Sequence, residues 1–327
     1  MKILENKFDL GFLPTPLHKL KNLSDKYEDY NIYIKRDDQT GLASGGNKTR
    51  KLEYLIQEAI DNGCDTIITG GAQQSNHCRQ TAAACSVAGL QCHLMLGGDG
   101  PETPNGNLLL SNLLGAKIYF AAEDRKGEGM ELLKEELMVK GKKPIIIPYG
   151  GSSSNGAMGY VNATKELKDQ LKELDITIDY IFFASSSGGT LAGFILGKEL
   201  FGLTSELIPI NIDKTEIQGL SLEEKILDIV NDGKKMLNLK KEYSLRDINL
   251  IRGYDKTGYG VIGQNEKEAI KELAVNEGIL LDPVYSGRAF YGLMDFLKNK
   301  KVPVESNILF YHTGGLPANF AYANYLV

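Results

Sequence analysis

Short apolar runs alternate with stretches whose apolar residues recur every three or four positions, and this alternation continues along almost the whole chain. Ile32-Tyr33-Ile34 reads as a strand. Leu52, Leu55, Ile56, Ala59 and Ile60 then recur at helical spacing until Gly63 ends the helix. Residues 66–69 predict a strand, 75–88 a helix closed by Gly89, and 93–96 another strand. A helix near 106–114 stops at Gly115 before a strand at 117–120, and a charged helix over roughly 127–140 precedes a strand around Ile145.

The pattern resumes after the Gly/Ser-rich run from Gly150 to Gly156, with a helix over 157–173, a strand over 180–184 and a glycine-rich turn into a further helix. A strand at 208–212 follows, then helices near 222–238, 265–277, 287–299 and 317–325, with a strand at 308–311 before the last. Hairpin signals are few. Such βαβ alternation predicts an α/β fold of parallel twisted sheets with helices on both faces, and ligands beyond the carboxyl ends of the strands. Residues 48–155 read as a smaller α/β lobe, and 1–47 plus 156–327 as a larger one. The ligand is then expected in the cleft between them, with a glycine-rich boundary that permits hinge motion.

Composition narrows the function classes. The 327 residues carry 37 Lys+Arg against 42 Asp+Glu, a net charge of −5, which supplies no field for a nucleic-acid backbone. The first residues break their apolar positions with charge, and no apolar run approaches membrane-spanning length. Cys64, Cys78, Cys85 and Cys92 form no Cys-x-x-Cys pair; they read as reduced, mostly buried thiols in a cytoplasmic protein, with no metal site expected. The charged stretch from Lys234 to Glu242 reads as a solvated helix end.

Six segments could carry chemistry. Ser185, Ser186, Ser187, Gly188, Gly189 and Thr190 join an apolar strand to an apolar helix, and hydroxyls with backbone N–H groups at a helix N-terminus form a phosphate cradle. The run is neither a Walker A loop nor Gly-x-Gly-x-x-Gly, and its bland reading is a plain βα turn. Lys48 follows Gly45-Gly46-Asn47 at a helix start, where the macrodipole and the neighbouring Arg50 and Lys51 lower an amine's pKa and favour nucleophilic or imine chemistry. Lys51 is the competing lysine, about 300° around the helix and outside that glycine turn. Ser75-Asn76-His77 opens the next helix, where Ser75 is at least an N-cap and His77 could be a partly exposed surface residue. Tyr259 and Tyr285 lie in loops, and Thr313 follows a buried strand in Tyr311-His312-Thr313-Gly314-Gly315.

Taken in order, Gly45–Leu55, Gly70–Gln80, Ser185–Thr190, Asp282–Gly287 and His312–Gly315 resemble the D-cysteine desulfhydrase and 1-aminocyclopropane-1-carboxylate (ACC) deaminase family, starting from Pro14-Thr15-Pro16-Leu17. That family has the tryptophan-synthase-β-like fold of pyridoxal 5'-phosphate (PLP) enzymes, fold type II. The resemblance implies Lys48 as Schiff-base lysine, Asn76 on the PLP hydroxyl, and Ser185–Thr190 on its phosphate. It places Ser75, Asn76 and His77 around the substrate carboxylate, Tyr259 and Tyr285 flanking the substrate, and Thr313 near the pyridine nitrogen. ACC deaminases typically have Glu directly after the second tyrosine and Gln where this chain has His77; Ser286 and His77 look more like the desulfhydrase branch, with Ser286 a further neutral partner for the ring. Ser186 stands where that branch often has Gly. The implied reaction is β-elimination from D-cysteine to pyruvate, ammonia and hydrogen sulfide in a homodimeric lyase. Alternatives are ACC deamination and elimination from L-cysteate or β-chloroalanine. Different in class are a non-catalytic PLP binder on the same scaffold, opposed by intact Lys48, Ser75 and Asn76, and a nucleotide-dependent oxidoreductase, opposed by the missing fingerprint.

Overall fold

The computed structural model describes residues 2–122, 127–213, 219–256 and 258–326. It begins with α1 (Lys2–Glu5), β1 (Leu17–Lys19), α2 (Lys21–Lys26) and β2 (Asn31–Arg36). Strict alternation follows through α3 (Lys48–Asp61), β3 (Thr66–Gly71), α4 (Asn76–Ala88), β4 (Gln91–Leu96), α5 (Gly106–Leu113), β5 (Lys117–Phe120), α6 (Met130–Val139) and β6 (Pro144–Ile146). The remainder comprises α7 (Ser154–Glu173), β7 (Tyr180–Ser185), α8 (Gly189–Phe201), β8 (Glu206–Asn211), α9 (Leu222–Leu237), α10 (Gln264–Glu277), α11 (Ser286–Lys298), β9 (Asn307–His312), α12 (Ala318–Ala321) and α13 (Ala323–Leu326).

The strands form two sheets, one of five strands in the order β1-β2-β9-β7-β8 and one of four in the order β5-β4-β3-β6. All pairings are parallel except the short edge strand β1, which runs antiparallel to β2. Parallel strands covered on both faces must be apolar throughout, and β3 and β7 are buried at nearly every position. Helix α3 joins the two cores. Leu52, Leu55, Ile56 and Ala59 pack with Ile67 and Leu94 of the four-stranded sheet, while Tyr54 packs with α7 and the five-stranded sheet. Lys48 is therefore held at a seam, beside the carboxyl ends of both sheets.

Beneath the start of α3 lies a buried charge network. Arg50 donates to both oxygens of Asp37 at 2.7 and 2.8 Å and to both oxygens of Glu166 at 2.9 Å. Lys35 adds a second cation on Glu166, and Tyr160 donates to Asp37 at 2.9 Å. The network fastens α3 to β2 and α7.

Several boundaries differ from the expected ones. The charged helix starts at Met130 because Gly127 and Gly129 are left-handed. Helix α7 starts at Ser154 because the Ser153 hydroxyl accepts from Gly156 N at 3.1 Å. The terminal helix expected over 317–325 is two single turns that break at Tyr322. β1 was not expected at all: three residues with mostly exposed side chains leave no apolar periodicity to read.

Candidate active site

A single cavity gathers residues from the carboxyl ends of β3, β6, β7 and β9 together with Asn47 and Lys48. Its lining includes Ser75, Asn76, His77, Tyr149, Gly150, Ser185, Ser186, Ser187, Gly188, Thr190, Tyr285 and Thr313. Elements far apart in sequence thus bring most of the expected residues to one place.

Lys48 is the first residue of α3, and its Nζ donates to Asn47 Oδ1 at 3.0 Å. Burial lowers its pKa to about 8; Asp282 opposes the shift and Arg79 adds to it. The preceding turn is held by Arg79, which donates to the carbonyls of Ala43 and Gly45. Asn47 is fixed through its N–H to the Thr313 carbonyl at 3.0 Å and its amide to Thr190 at 3.3 Å. The lysine therefore projects from a backbone tied to both β9 and α8.

Ser75 does cap α4, its hydroxyl accepting from Cys78 N at 3.2 Å, and it also lines the cavity. The first-turn N–H groups of Asn76 and His77 add two donors, so this helix mouth suits a carboxylate. Asn76 Oδ1 accepts from Asn107 at 2.8 Å, which leaves its NH2 to donate to a ring oxygen. His77 is buried, not a surface residue. Thr69 donates its hydroxyl to the Ile147 carbonyl at 2.8 Å, so the His77 Nε2 contact at 2.9 Å must carry the imidazole proton. Burial, with Lys48 and Lys51 nearby, holds the ring well below its ordinary pKa and hence neutral. What His77 offers an anion is its backbone N–H rather than its ring.

The glycine-rich loop leads into α8 through Gly188, whose φ is +86° and whose Cβ would stand 2.5 Å from Ile226. A second loop, overlooked in the sequence, completes the cradle. Gly150 has φ +66°, and a Cβ there would lie 2.2 Å from Ser187 Oγ. Ser152 donates to Ser187 at 2.7 Å and accepts from Gly189 N at 3.1 Å. Lys51 lies outside the 45–46 turn and reaches this second loop, with Nζ 3.3 Å from the Gly150 carbonyl. Burial pushes its pKa well below the ordinary value, and Lys48 adds to the shift. Among the described residues no carboxylate pairs with Lys51, and the buried Ser185 hydroxyl has no partner. A buried amine with no carboxylate partner, a bare hydroxyl and the mouth of α8 fit a phosphate dianion, whose charge would favour the protonated amine. The run Gly150–Gly156, a second glycine-rich turn after a strand, was the available signal.

Tyr285 enters the cavity, and its hydroxyl meets that of Tyr259 at 2.6 Å with the rings in an edge arrangement. Burial raises its pKa well above the ordinary value, with Tyr259, Tyr149 and Asp282 contributing. Three expected residues lie behind the wall rather than on it. Tyr259 is not among the lining residues and meets Tyr285 behind them, and Gly189 turns its N–H to Ser152. Ser286 is fully buried in the cap of α11, its hydroxyl donating to Asp282 Oδ1 at 2.6 Å. That commitment removes Ser286 from the cavity surface and leaves Thr313 as the hydroxyl at the end of β9.

The fold, with a cavity whose residues fit a phosphate-bearing group beside a lysine amine, points to a class of cofactor-dependent enzymes. Residues 8–314 match the Pyridoxal-phosphate dependent enzyme family, and the chain belongs to it. The chain is 41% identical to D-cysteine desulfhydrases of Klebsiella pneumoniae, over 98% of its length and 97% of theirs, and Salmonella newport, over 97% and 96%. It is 40% identical, over 94% of its length, to a Pyrococcus abyssi protein (91% covered) that bears the provisional name 1-aminocyclopropane-1-carboxylate deaminase. The crystal structure of an ACC deaminase homologue superposes with a TM-score of 0.90 at 36% identity, covering 99% of this chain and 97% of the other. A threonine deaminase from Solanum lycopersicum, 18% identical with a TM-score of 0.65 over 95% of this chain and 82% of its own, shares the fold. No helix among the described residues is long and apolar enough to cross a membrane, and no group of three His, Cys, Asp or Glu is placed for a metal ion.

Proposed function

We propose that the protein is a PLP-dependent lyase that eliminates the thiol of D-cysteine, giving pyruvate, ammonia and hydrogen sulfide. The observation that carries this reading is that no carboxylate lines the cavity among the described residues, and that a neutral hydroxyl, Thr313, ends β9 within it. Without a carboxylate partner a pyridine nitrogen stays unprotonated, which suffices for a good leaving group such as thiolate and serves a carbon leaving group poorly. The names of the Klebsiella pneumoniae and Salmonella newport relatives support the same substrate.

PLP, when bound, supplies the electron sink for charge developing at Cα. Lys48 would hold the cofactor, and its amine would move the Cα proton; a pKa of about 8 leaves a usable fraction of free base near neutrality. The loops around Ser185–Thr190 and Gly150–Ser152, with Lys51, would bind the phosphate, and the Asn76 amide would donate to the ring hydroxyl. Ser75 and the N–H groups of Asn76 and His77 bind the substrate carboxylate. Tyr285, which lines the cavity and is backed by Tyr259, would pass a proton to the departing sulfur.

Residues 48–155 act as the smaller lobe that closes on the substrate, and the chain works in the cytoplasm as a homodimer. Exposed Leu109 and Leu113 on α5 and exposed Phe320 on α12, a helix that packs against α5, support a subunit contact. Light scattering tests the dimer. Sulfide, pyruvate and 2-oxobutyrate measured with matched D-cysteine, L-cysteine and ACC test the reaction. Sulfide with pyruvate from D-cysteine is expected, whereas 2-oxobutyrate from ACC as the main product overturns it.

A further inference from the structure

Tyr149 belongs to neither the lysine turn, the phosphate loop nor the tyrosine pair, yet it lines the cavity with Lys48, His77 and Tyr285. It follows Pro148 in the one-turn helix after β6. Gly150 and Gly151 next to it both have positive φ, at 66° and 63°, and Gly150 lies so close to Ser187 that no side chain would fit. The backbone that carries Tyr149 is therefore pinned against the phosphate loop. The tyrosine stands near enough to Tyr285 to help raise its pKa.

Tyr149 also borders a second cavity of about 400 Å³. Met130, Ile145, Ile146 and Pro148 line it together with the charged Glu131, Lys134 and Lys225, and among the described residues it shares only Tyr149 and Ser187 with the first. We infer that Tyr149 is a specificity-determining residue whose ring walls the substrate cavity off from this second space and so limits the size of the substrate's side chain. The inference rests on the reading of a small amino acid as substrate. Removing the ring joins the two spaces and gives longer aliphatic or aromatic side chains a surface of Met and Ile to cover.

Binding of unreactive amino acids reads this wall without any elimination. Both enantiomers of alanine and phenylalanine are titrated into the holoenzyme, and dissociation constants are taken from the cofactor's visible spectrum. Wild-type protein is expected to favour alanine. Tyr149→Ala should shift the phenylalanine-to-alanine affinity ratio by about tenfold or more, as hydrophobic pockets do for added carbon atoms. Tyr149→Val should shift it less, and Tyr149→Phe, which keeps the ring, hardly at all. If Tyr149→Ala does not fold, the valine variant decides alone. An unchanged ratio in a variant that keeps its cofactor spectrum overturns the inference. Failure of D-cysteine turnover in the wild type would instead overturn the proposed reaction and leave this ratio readable.

Discussion

The Lys51 amine stands 3.5 Å from the Ser152 hydroxyl, and the two flank the amide of Gly189, whose N–H donates to Ser152 at 3.1 Å. A Cβ added at Gly189 would come within 3.0 Å of Lys51 Nζ. Cation, hydroxyl and helix mouth thus converge from α3, from the loop before α7 and from α8.

Lys51→Met should therefore weaken PLP binding about 10- to 100-fold, the size of a lost charge-assisted contact. Gly188→Asp should act in the same direction through repulsion of the dianion and a Cβ that collides with Ile226. Cofactor retention after dialysis measures both. Full retention in folded variants would place the phosphate elsewhere.

Lys48 should be the lysine that carries the cofactor. Borohydride reduction of the holoenzyme followed by peptide mapping is expected to find the pyridoxyl label there, and a label on Lys51 would refute the assignment. Because burial lowers the amine to about 8, the rate of PLP capture by the apoenzyme should rise with pH through a midpoint near that value. A solvated lysine would give a midpoint near 10.5, its ordinary value.

Tyr285→Phe should lower kcat for sulfide release by about 10²-fold or more, in the range of lost proton transfer, with PLP affinity little changed. Tyr259→Phe should have a smaller effect, since Tyr259 is not among the lining residues of the cavity and meets Tyr285 at 2.6 Å behind it. Equal losses in both variants, or cofactor release from Tyr285→Phe, would argue for a packing role. The raised pKa of Tyr285 also means that its own ionisation should not produce the alkaline limb of the rate profile.

Much of this arrangement was legible because its loops follow apolar strands. β3, β7 and β9 announce themselves as runs of buried side chains, and whatever follows them in a parallel sheet lies at the ligand edge. Ser75, Ser185 and Thr313 could be placed that way. Lys51 could not, because the loop that receives it comes about a hundred residues later and helical spacing says nothing of it. Ser286 misled for a different reason. Its place after Tyr285 is the family's position for a ring-nitrogen partner, but Asp282, four residues earlier, captures a short hydroxyl that would otherwise face the cavity. His77 shows the same limit: the residue was recognisable, but only Thr69 and the Ile147 carbonyl decide which nitrogen carries its proton.

The charge network under α3 makes a prediction about acid stability. Burial alone would raise the Glu166 pKa, but Arg50 and then Lys35 overcome it and bring the carboxyl down from 4.5 to about 2. Since the folded value lies below the unfolded one, the stabilisation is complete above about pH 4.5 and fades as pH falls towards 2. A shift of that size is worth about 3 kcal/mol. Urea unfolding of wild type and Glu166→Gln at pH 7, 4 and 3 measures it. The variant should be less stable at pH 7, by about 3 kcal/mol or more with Arg50 and Lys35 left short of an anion, and the gap should narrow as the medium acidifies. Because Arg50 lies two residues after Lys48, the variant should also show a broadened cofactor absorption band while it remains folded. Parallel stability curves at the three pH values would mean that Glu166 titrates alike in folded and unfolded chains, and that Asp37 alone anchors Arg50.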